Sequence, residues 1–173
     1  MLYLIDPAGN YYEAEHNVTG ATEIPVQRPG PEYDWTGENW VINEERRKSL
    51  VLSQLEESRK SKASQLQMAY TIACSLSVIF TTEKGVTSIF QAGKSSVAAL
   101  NNALLGWQFS EKLPDDYFWV DEDNTPVPFT YSDLKGLAAT IAEQNWAAFQ
   151  HLQSLKAELK QATSLDQINS ITW

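Results

Sequence analysis

The sequence predicts an α+β protein: a small β-rich N-terminal arm, then a polar connecting helix, then a C-terminal domain of two hairpins packed on a long helix. Three observations predict this fold class. Short apolar runs between Gly, Pro and Asn turn residues fill positions 1–43, which is typical of strands. A charged stretch over 44–73 has only a narrow apolar stripe, which is typical of an exposed helix. Residues 74–173 contain the longest amphipathic pattern of the chain, which offers the largest apolar surface for packing.

The N-terminal arm is predicted to contain five short extended segments joined by turns. These segments are 2–5, 11–14, 22–27, 33–35 and 40–42. Turn residues separate them, because Pro presets one backbone dihedral and Gly or Asn accepts a positive φ. The last two segments flank a four-residue turn that contains glycine, which indicates a hairpin.

The second hairpin of the arm carries several aromatic residues in a segment with little core of its own. Tyr33, Trp35, Trp40 and Ile42 stand on its two strands. Such side chains either pack on one another and on the following helix, or form an apolar surface that binds a partner protein. Both interpretations stay open, and we name these four as candidate partner-binding residues.

The connecting helix is predicted to begin after Asn43, because Asn is a favourable N-cap and two glutamates follow in the first turn. Residues 66–80 are ambiguous, since their apolar side chains alternate as in a strand but also share a helical face. We expect the helix to continue to about residue 73 and a strand to cover about 77–82.

Two hairpins are predicted in the C-terminal domain. The first pairs residues 77–82 with 86–91 around a turn that contains glycine. The second pairs residues 117–120 with 126–129 around an acidic turn. Both have the strand-turn-strand pattern of β-hairpins.

The helix between the two hairpins raises the question of nucleotide binding. We expect this helix to have Ser95 or Ser96 as its N-cap and to end at Gly106. Gly93-Lys94-Ser95 matches the end of a phosphate-binding P-loop between a strand and a helix. The first glycine of that motif would fall at Ser88, so the backbone cannot wrap around phosphates. The sequence therefore predicts no nucleotide cofactor.

A long helix is predicted from Thr130 to Ala162. Asp133 stands three residues after Thr130, which is the spacing of a capping box. Ser164 and Gln167 have the same spacing and predict a short final helix.

Apolar side chains recur along the long helix in steps of three and four, as in a helix that packs against another helix. The stripe includes Ile141, Asn145, Leu152 and Leu155, and a buried Asn at such a position can set oligomeric state. These four residues form a candidate oligomer seam, with a core helix of one domain as the alternative.

A second stripe widens the apolar face of the same helix, and it contains Leu137, Trp146 and Phe149. We therefore expect the helix to pack on two sides. Because the hairpins and the final helix need an apolar surface, we interpret the long helix mainly as the spine of the C-terminal domain.

Charge and composition limit the classes of partner. The formal net charge is −9, and 43% of the residues are hydrophobic. Nucleic acids and anionic membranes attract basic surfaces, so we expect neither partner. The N-terminus has no basic leader and no stretch has the length of a membrane span, which predicts a cytoplasmic protein.

Candidate chemical groups are few. Asp121 and Asp123 alternate in the acidic turn, but the glycine and the distal glutamate of a calcium loop are missing. His16 and His151 lack the spacing of zinc ligands, and Cys74 lies in an apolar run that predicts an inert buried thiol. No nucleophile, base and orienting group converge in the pattern. We therefore expect no enzymatic activity, no metal and no cofactor.

Two parts of the chain resemble proteins of bacteriophage tails. The segment from Tyr33 to Arg47, with two aromatic strands leading into a polar helix, resembles the hairpin of phage tail-fibre assembly proteins. The C-terminal half is similar to an uncharacterised domain found in tailed-phage and pyocin tail-fibre gene clusters. That similarity lies in the strand ending near Trp119, the Asp123-Asn124 turn, the long Ala/Leu helix and the ending at Trp173.

The resemblance implies an assembly chaperone that binds the C-terminal tip of a tail-fibre protein and promotes its folding or trimerisation. It implies no enzyme chemistry, and it places the protein in the cytoplasm of the bacterial host or producer cell, with retention on the tip of the fibre in the particle as the alternative location. The alternative is a structural tail-fibre subunit retained in the particle, with the long helix as the seam of a homo-oligomer.

Overall fold

The fold is described by a computed structural model that covers all 173 residues. It contains helices and antiparallel strands, so the predicted α+β class is confirmed. The chain divides into two compact units, Met1–Ser58 and Arg59–Trp173. In chain order the elements are β1 (Leu2–Ile5), β2 (Tyr11–Ala14), β3 (Thr22–Ile24), β4 (Tyr33–Trp35), β5 (Trp40–Ile42), α1 (Glu44–Ala73), β6 (Val78–Thr81), β7 (Thr87–Phe90), α2 (Lys94–Trp107), β8 (Phe118–Val120), β9 (Pro126–Pro128), α3 (Tyr131–Gln161) and α4 (Leu165–Ser170).

The first unit contains a three-stranded antiparallel sheet in the order β2-β1-β3 and the separate hairpin β4–β5. Its strands have the predicted bounds except β3, which ends at Ile24 rather than at Gln27. Pro25 explains the early end, because it has no N–H with which to continue a ladder. Asn43 is confirmed as an N-cap of α1, since its Oδ1 accepts from the Arg46 N–H at 3.0 Å.

Helix α1 belongs to both units, because the boundary between them falls at Ser58 and Arg59. The division expected from the sequence was 1–43, 44–73 and 74–173, with the helix as a separate connector. The contacts of the chain instead give two units. The second half of α1 is part of the C-terminal unit, and its side chains bond to that unit directly.

The second half of α1 packs antiparallel to α3. Arg59 Nη2, near the middle of α1, donates to the Ala162 carbonyl just after the end of α3. Gln144 Nε2, in the middle of α3, donates to the Ala73 carbonyl at the end of α1 at 3.3 Å. Residue numbers thus rise along one helix as they fall along the other.

Both hairpins of the second unit close with a hydrogen-bonded pair around three turn residues, the third of which is left-handed. Between Thr82 and Val86 the third residue is Gly85 with a φ of 81°, and between Asp121 and Thr125 it is Asn124 with a φ of 60°. Gly and Asn tolerate this conformation better than other residues. Both predicted hairpins are therefore present, and the ambiguous stretch resolves into the end of α1 and the start of β6.

The core of the second unit lies where the hairpins and α2 meet the first half of α3. Phe80, Phe90 and Phe129 pack on one another with ring centroids 5.3–6.3 Å apart. Leu134 and Leu137 of α3 are almost fully buried in the same cluster. Burial of these large apolar side chains is the main favourable term for this unit.

Gly136 allows the Phe80 ring to approach α3 closely. A Cβ atom at this position would lie 2.8 Å from two carbons of that ring. The ring has little freedom to move away, because it also packs on Phe90 and Phe129.

The capping box at the start of α3 is confirmed. The Thr130 hydroxyl accepts from the Asp133 N–H at 3.1 Å, and the Asp133 carboxylate accepts from the Thr130 N–H at 2.8 Å. The second oxygen of Asp133 accepts from the Glu83 N–H at 2.7 Å. Asp133 therefore connects the helix start to the β6–β7 loop.

The predicted ends of α2 were wrong. The helix begins at Lys94 with Gly93 as its N-cap, and neither Ser95 nor Ser96 caps it. The Ser96 hydroxyl instead lies 3.4 Å from the side-chain oxygen of Gln91. The helix also continues past Gly106, because this glycine does not adopt the left-handed conformation that ends helices.

The second predicted capping box is half present. The Ser164 hydroxyl accepts from the Gln167 N–H at 3.2 Å, as expected for the N-cap of α4. The Gln167 side chain reaches one residue further back than predicted and accepts from the Thr163 N–H at 2.6 Å.

Three of the four candidate seam residues are buried within the single chain. Ile141, Leu152 and Leu155 are 4%, 2% and 6% exposed. Their side chains are therefore covered already, as a core helix requires. Asn145 is half-buried beside a cavity of about 200 Å³ between α2 and α3, and its buried Oδ1 has no hydrogen-bond partner.

We expect Gly136→Ala to lower the free energy of unfolding by about 1–3 kcal/mol, because the Phe80 ring must shift to admit the new Cβ. This loss exceeds the gain of about 1 kcal/mol that Ala brings over Gly inside a helix. Urea unfolding of the full chain measures the difference. Gly106→Ala is the matched control, because Gly106 is a helical glycine with open space around its Cβ position. Equal effects of the two substitutions would contradict the prediction.

We expect Asn145→Leu to raise the free energy of unfolding by about 1 kcal/mol, because it removes a buried carbonyl without a partner. Urea unfolding and sedimentation velocity report stability and oligomeric state, and the latter should not change. Gln144→Leu is the control, because Gln144 Nε2 donates to the Leu76 carbonyl at 2.8 Å, and its loss should destabilise. Dissociation of an oligomer by Asn145→Leu would instead support the seam.

Candidate functional site

The aromatic side chains of the arm pack on one another. The Trp35 and Trp40 rings meet edge to face with centroids 5.3 Å apart, and Tyr11 meets Trp40 in the same way at 5.6 Å. Tyr3 stacks on Tyr11 at 6.5 Å. The cluster therefore joins the β4–β5 hairpin to the three-stranded sheet within the first unit.

Arg28 completes this aromatic cluster. Its guanidinium lies 5.9 Å from the Trp40 ring centroid, and its Nε donates to the Tyr33 carbonyl at 3.0 Å. Of the four candidate partner-binding residues, Tyr33, Trp35 and Trp40 are thus half-buried and only Ile42 is exposed. Val41 beside it is also exposed, so β5 presents two exposed aliphatic side chains.

The most prominent exposed aromatic pair lies on α3. Trp146 and Phe149 are 59% and 40% exposed, and their rings stack with centroids 5.7 Å apart. The sequence predicted that α3 would pack on two sides, with Leu137, Trp146 and Phe149 on the second stripe. Within the single chain Leu137 is buried and the two aromatic residues are exposed.

Two different causes explain this exposure. The Tyr131 hydroxyl donates to the Leu104 carbonyl near one end of α2, and Val97 and Asn145 border the same small cavity near the other end. Phe149 lies one turn beyond Asn145 on the same side of α3, where α2 no longer covers it. Trp146 is about 100° around the helix from Asn145 and so points away from α2.

A second group of exposed apolar side chains lies at the end of α1 and just after it. Met68 and Ile72 of α1 are largely exposed, as is Leu76 three residues beyond the helix. A spacing of four residues places Met68 and Ile72 on one helical face. The sequence contained this signal, but the competing alternation of residues 66–80 obscured it.

A cleft of about 420 Å³ in the second unit lies between α2 and β8. Its walls combine aromatic, aliphatic and polar residues. They are Gln91, Ser95, Ser96, Ala99, Tyr117, Phe118, Trp119, Val120, Asp121 and Asn124.

Asp121 is the acidic residue in this cleft. Its pKa lies below the ordinary value for a carboxyl, chiefly because the Ser88 hydroxyl donates to it at 2.7 Å. The N–H groups of Thr125 and Asp123 donate to its other oxygen at 2.8 and 3.0 Å. These bonds favour the ionised form and give the residue a structural role in the β8–β9 turn.

The other candidate chemical groups do not converge on the cleft. His16 is exposed, and the His151 ring lies against Trp173 with centroids 4.8 Å apart. Cys74 is half-buried rather than buried as expected, and its contact with Tyr70 raises the pKa of that phenol. No group of three His, Cys, Asp or Glu side chains is arranged to hold a metal ion. None of the helices combines the length and apolar character needed to cross a membrane.

Comparison with known proteins identifies a family for the second unit. A family profile described as Domain of unknown function (DUF4376) matches residues 59–172, which is more than half of the chain. No curated protein and no solved structure matches significantly. The match begins at Arg59, where the second compact unit also begins. This chain therefore belongs to the DUF4376 family.

Proposed function

We propose that this protein is a tail-fibre assembly chaperone that binds the fibre protein of a tailed phage or pyocin and promotes its folding or trimerisation. The proposal rests on the resemblance of residues 33–47 and of the C-terminal half to proteins of tail-fibre gene clusters. The structural observation that supports it best is the exposed stack of Trp146 and Phe149.

Exposed aromatic pairs of this kind are suited to binding proteins. Trp is enriched among the residues that contribute most to binding energy at protein interfaces. The Trp146–Phe149 pair is already stacked, so little side-chain entropy is lost when a partner covers it. The exposed Met68 adds a flexible apolar side chain that can adapt to an irregular surface.

A chaperone for an obligate trimer has a clear physical task. Obligate interfaces are large and hydrophobic, so an unassembled fibre chain exposes apolar surface that would otherwise aggregate. A second protein with exposed apolar side chains can cover that surface until the subunits meet. We propose that this occurs in the bacterial cytoplasm and involves no enzymatic step.

We expect the neighbouring tail-fibre gene to yield soluble trimer only when it is co-expressed with this protein. Size-exclusion chromatography of the fibre, with and without co-expression, measures the trimer fraction. A fibre that trimerises equally well alone would contradict the chaperone function.

The composition of finished particles separates the chaperone from a structural subunit. Mass spectrometry of purified particles should detect the fibre without a stoichiometric amount of this protein. Stoichiometric retention, with no effect on fibre folding, would support the structural subunit instead.

We expect Trp146→Ala/Phe149→Ala to weaken binding to the co-expressed fibre by about 30-fold or more, because truncating interface aromatics commonly costs about 2 kcal/mol or more. Stability should change little, since both side chains are exposed. Binding is measured by biolayer interferometry, and folding by urea unfolding. Gln150→Ala/Gln153→Ala is the control on the same helix, and an equal effect of the two double variants would contradict the role of the aromatic pair.

A further inference from the structure

Strand β8 bonds to β9 only through alternate residues. The Phe129 N–H donates to the Tyr117 carbonyl at 3.2 Å, and the Asp121 N–H donates to the Thr125 carbonyl at 3.1 Å. Bonded and non-bonded pairs alternate in an antiparallel ladder. The backbone groups of Tyr117, Trp119 and Asp121 therefore face β9.

Phe118 and Val120 consequently point their backbone N–H and C=O groups away from β9. Their opposite residues are Pro128 and Pro126, which have no N–H to donate and so fit the non-bonded positions. The backbone groups of Phe118 and Val120 have no hydrogen-bond partner in the structure. Strand β8 thus has an open edge.

Only one end of this edge is occupied. The Glu122 N–H donates to the Ile89 carbonyl of β7 at 2.8 Å. Beyond that bond β7 and β8 separate, and the cleft opens between Gln91 on one side and Phe118 on the other. The open edge of β8 therefore borders a space that no part of the chain fills.

The walls of the cleft suit an extended peptide segment. Its volume of about 420 Å³ lies within the range of small-ligand sites, so it admits a few residues of such a segment. In an extended segment, every second residue presents its N–H and C=O to the same side. These groups can therefore bond to the backbone groups of Phe118 and Val120, which are also two residues apart. Gln91, Ser95 and Ser96 line the same cleft with polar side chains that can bond to such a segment.

The acidic residues in and around β8 favour a peptide segment of positive charge. Residues 113–129 contain five acidic side chains and no Lys or Arg. The acids are Asp115, Asp116, Asp121, Glu122 and Asp123. A segment that carries basic residues would be attracted to this region, and an acidic one would be repelled.

We propose that the cleft between β8 and α2 binds an extended basic segment of the partner protein, which adds to the edge of β8 as a short strand. This inference rests on the proposed function, because it assumes that the partner is a protein. It assigns the cleft as a second contact besides the Trp146–Phe149 surface.

A random library of 12-residue peptides, selected on the full chain by mRNA display, provides the test. We expect enriched peptides in which Lys or Arg alternates with apolar residues. A synthetic copy of the most enriched peptide should protect the Phe118 and Val120 amides from hydrogen exchange. Failure to enrich any sequence, or protection confined to other residues, would overturn the proposal.

Two substitutions at one position isolate the edge. Val120→Pro removes an N–H that faces the cleft and takes no part in the β9 ladder, so we expect about tenfold weaker peptide binding. Val120→Thr keeps the N–H and the shape of the side chain, so we expect a change within about twofold. Urea unfolding of both variants checks the fold. Equal peptide affinity in the two variants would overturn the proposal.

Further outcomes distinguish other occupants and separate this inference from the proposed function. Concentration-dependent dimerisation that Val120→Pro abolishes would assign the edge to a second copy and overturn the proposal. Asp115→Asn/Asp116→Asn/Asp123→Asn should weaken binding of the basic peptide, and no change would overturn the charge assignment. If Val120→Pro still supports fibre trimerisation fully, the inference fails while the chaperone function stands.

Discussion

The buried carboxylate of Asp133 holds together two parts of the C-terminal unit that are far apart in sequence. One oxygen accepts from the Thr130 N–H at the start of α3, and the other accepts from the Glu83 N–H in the β6–β7 loop. The residue is 1% exposed, so its oxygens need these hydrogen-bond donors in place of water. The arrangement fixes the loop against the first turn of α3. It thereby sets the position from which Phe80 reaches Gly136 and the phenylalanine cluster.

At the opposite end of α3, two basic side chains of α1 perform a comparable task. Arg59 donates to the Ala162 carbonyl, and Lys62 Nζ donates to the Ile171 carbonyl at 3.0 Å and lies 3.3 Å from that of Asn169. Carbonyl groups at helix ends lack partners within the helix, and cations are favourable there. The second half of α1 therefore closes the C-terminal unit, which agrees with the start of the family match at Arg59.

The two surfaces proposed to bind partners share one feature, which is that neighbouring elements cover them incompletely. Helix α2 does not extend as far as Phe149, no element packs on the side of α3 that carries Trp146, and β7 separates from β8 before it can pair with Phe118 and Val120. The first gap exposes apolar area, and the second exposes backbone hydrogen-bonding groups. Covering the apolar area, or pairing the backbone groups with those of a partner, lowers the free energy of the complex relative to the separate proteins.

Local patterns in the sequence were sufficient for most of the elements and for the N-caps Asn43, Thr130 and Ser164. The predictions of the hairpins, of the Thr130–Asp133 capping box and of the end of α1 depended on neighbouring residues, and the structure agrees with them. Local reasoning failed for the start of α2, where the Ser96 hydroxyl turned to Gln91 instead of to the helix backbone. It also failed for Gly106, because glycine permits a helix end without requiring one.

The sequence by itself determined the α+β class, the order of the elements and the apolar face of α3, because hydrophobic period and turn residues act over a few positions. Only the tertiary structure decided which part of that face is core and which is surface. Ile141, Leu152 and Leu155 are covered within the chain while Trp146 is not, because Trp146 lies about 120–180° around the helix from these three residues and no element packs on that side. The open edge of β8 also depends on the tertiary structure. Which backbone groups of β8 are unpaired depends on its register with β9 and on its separation from β7. The sequence of a single strand indicates neither.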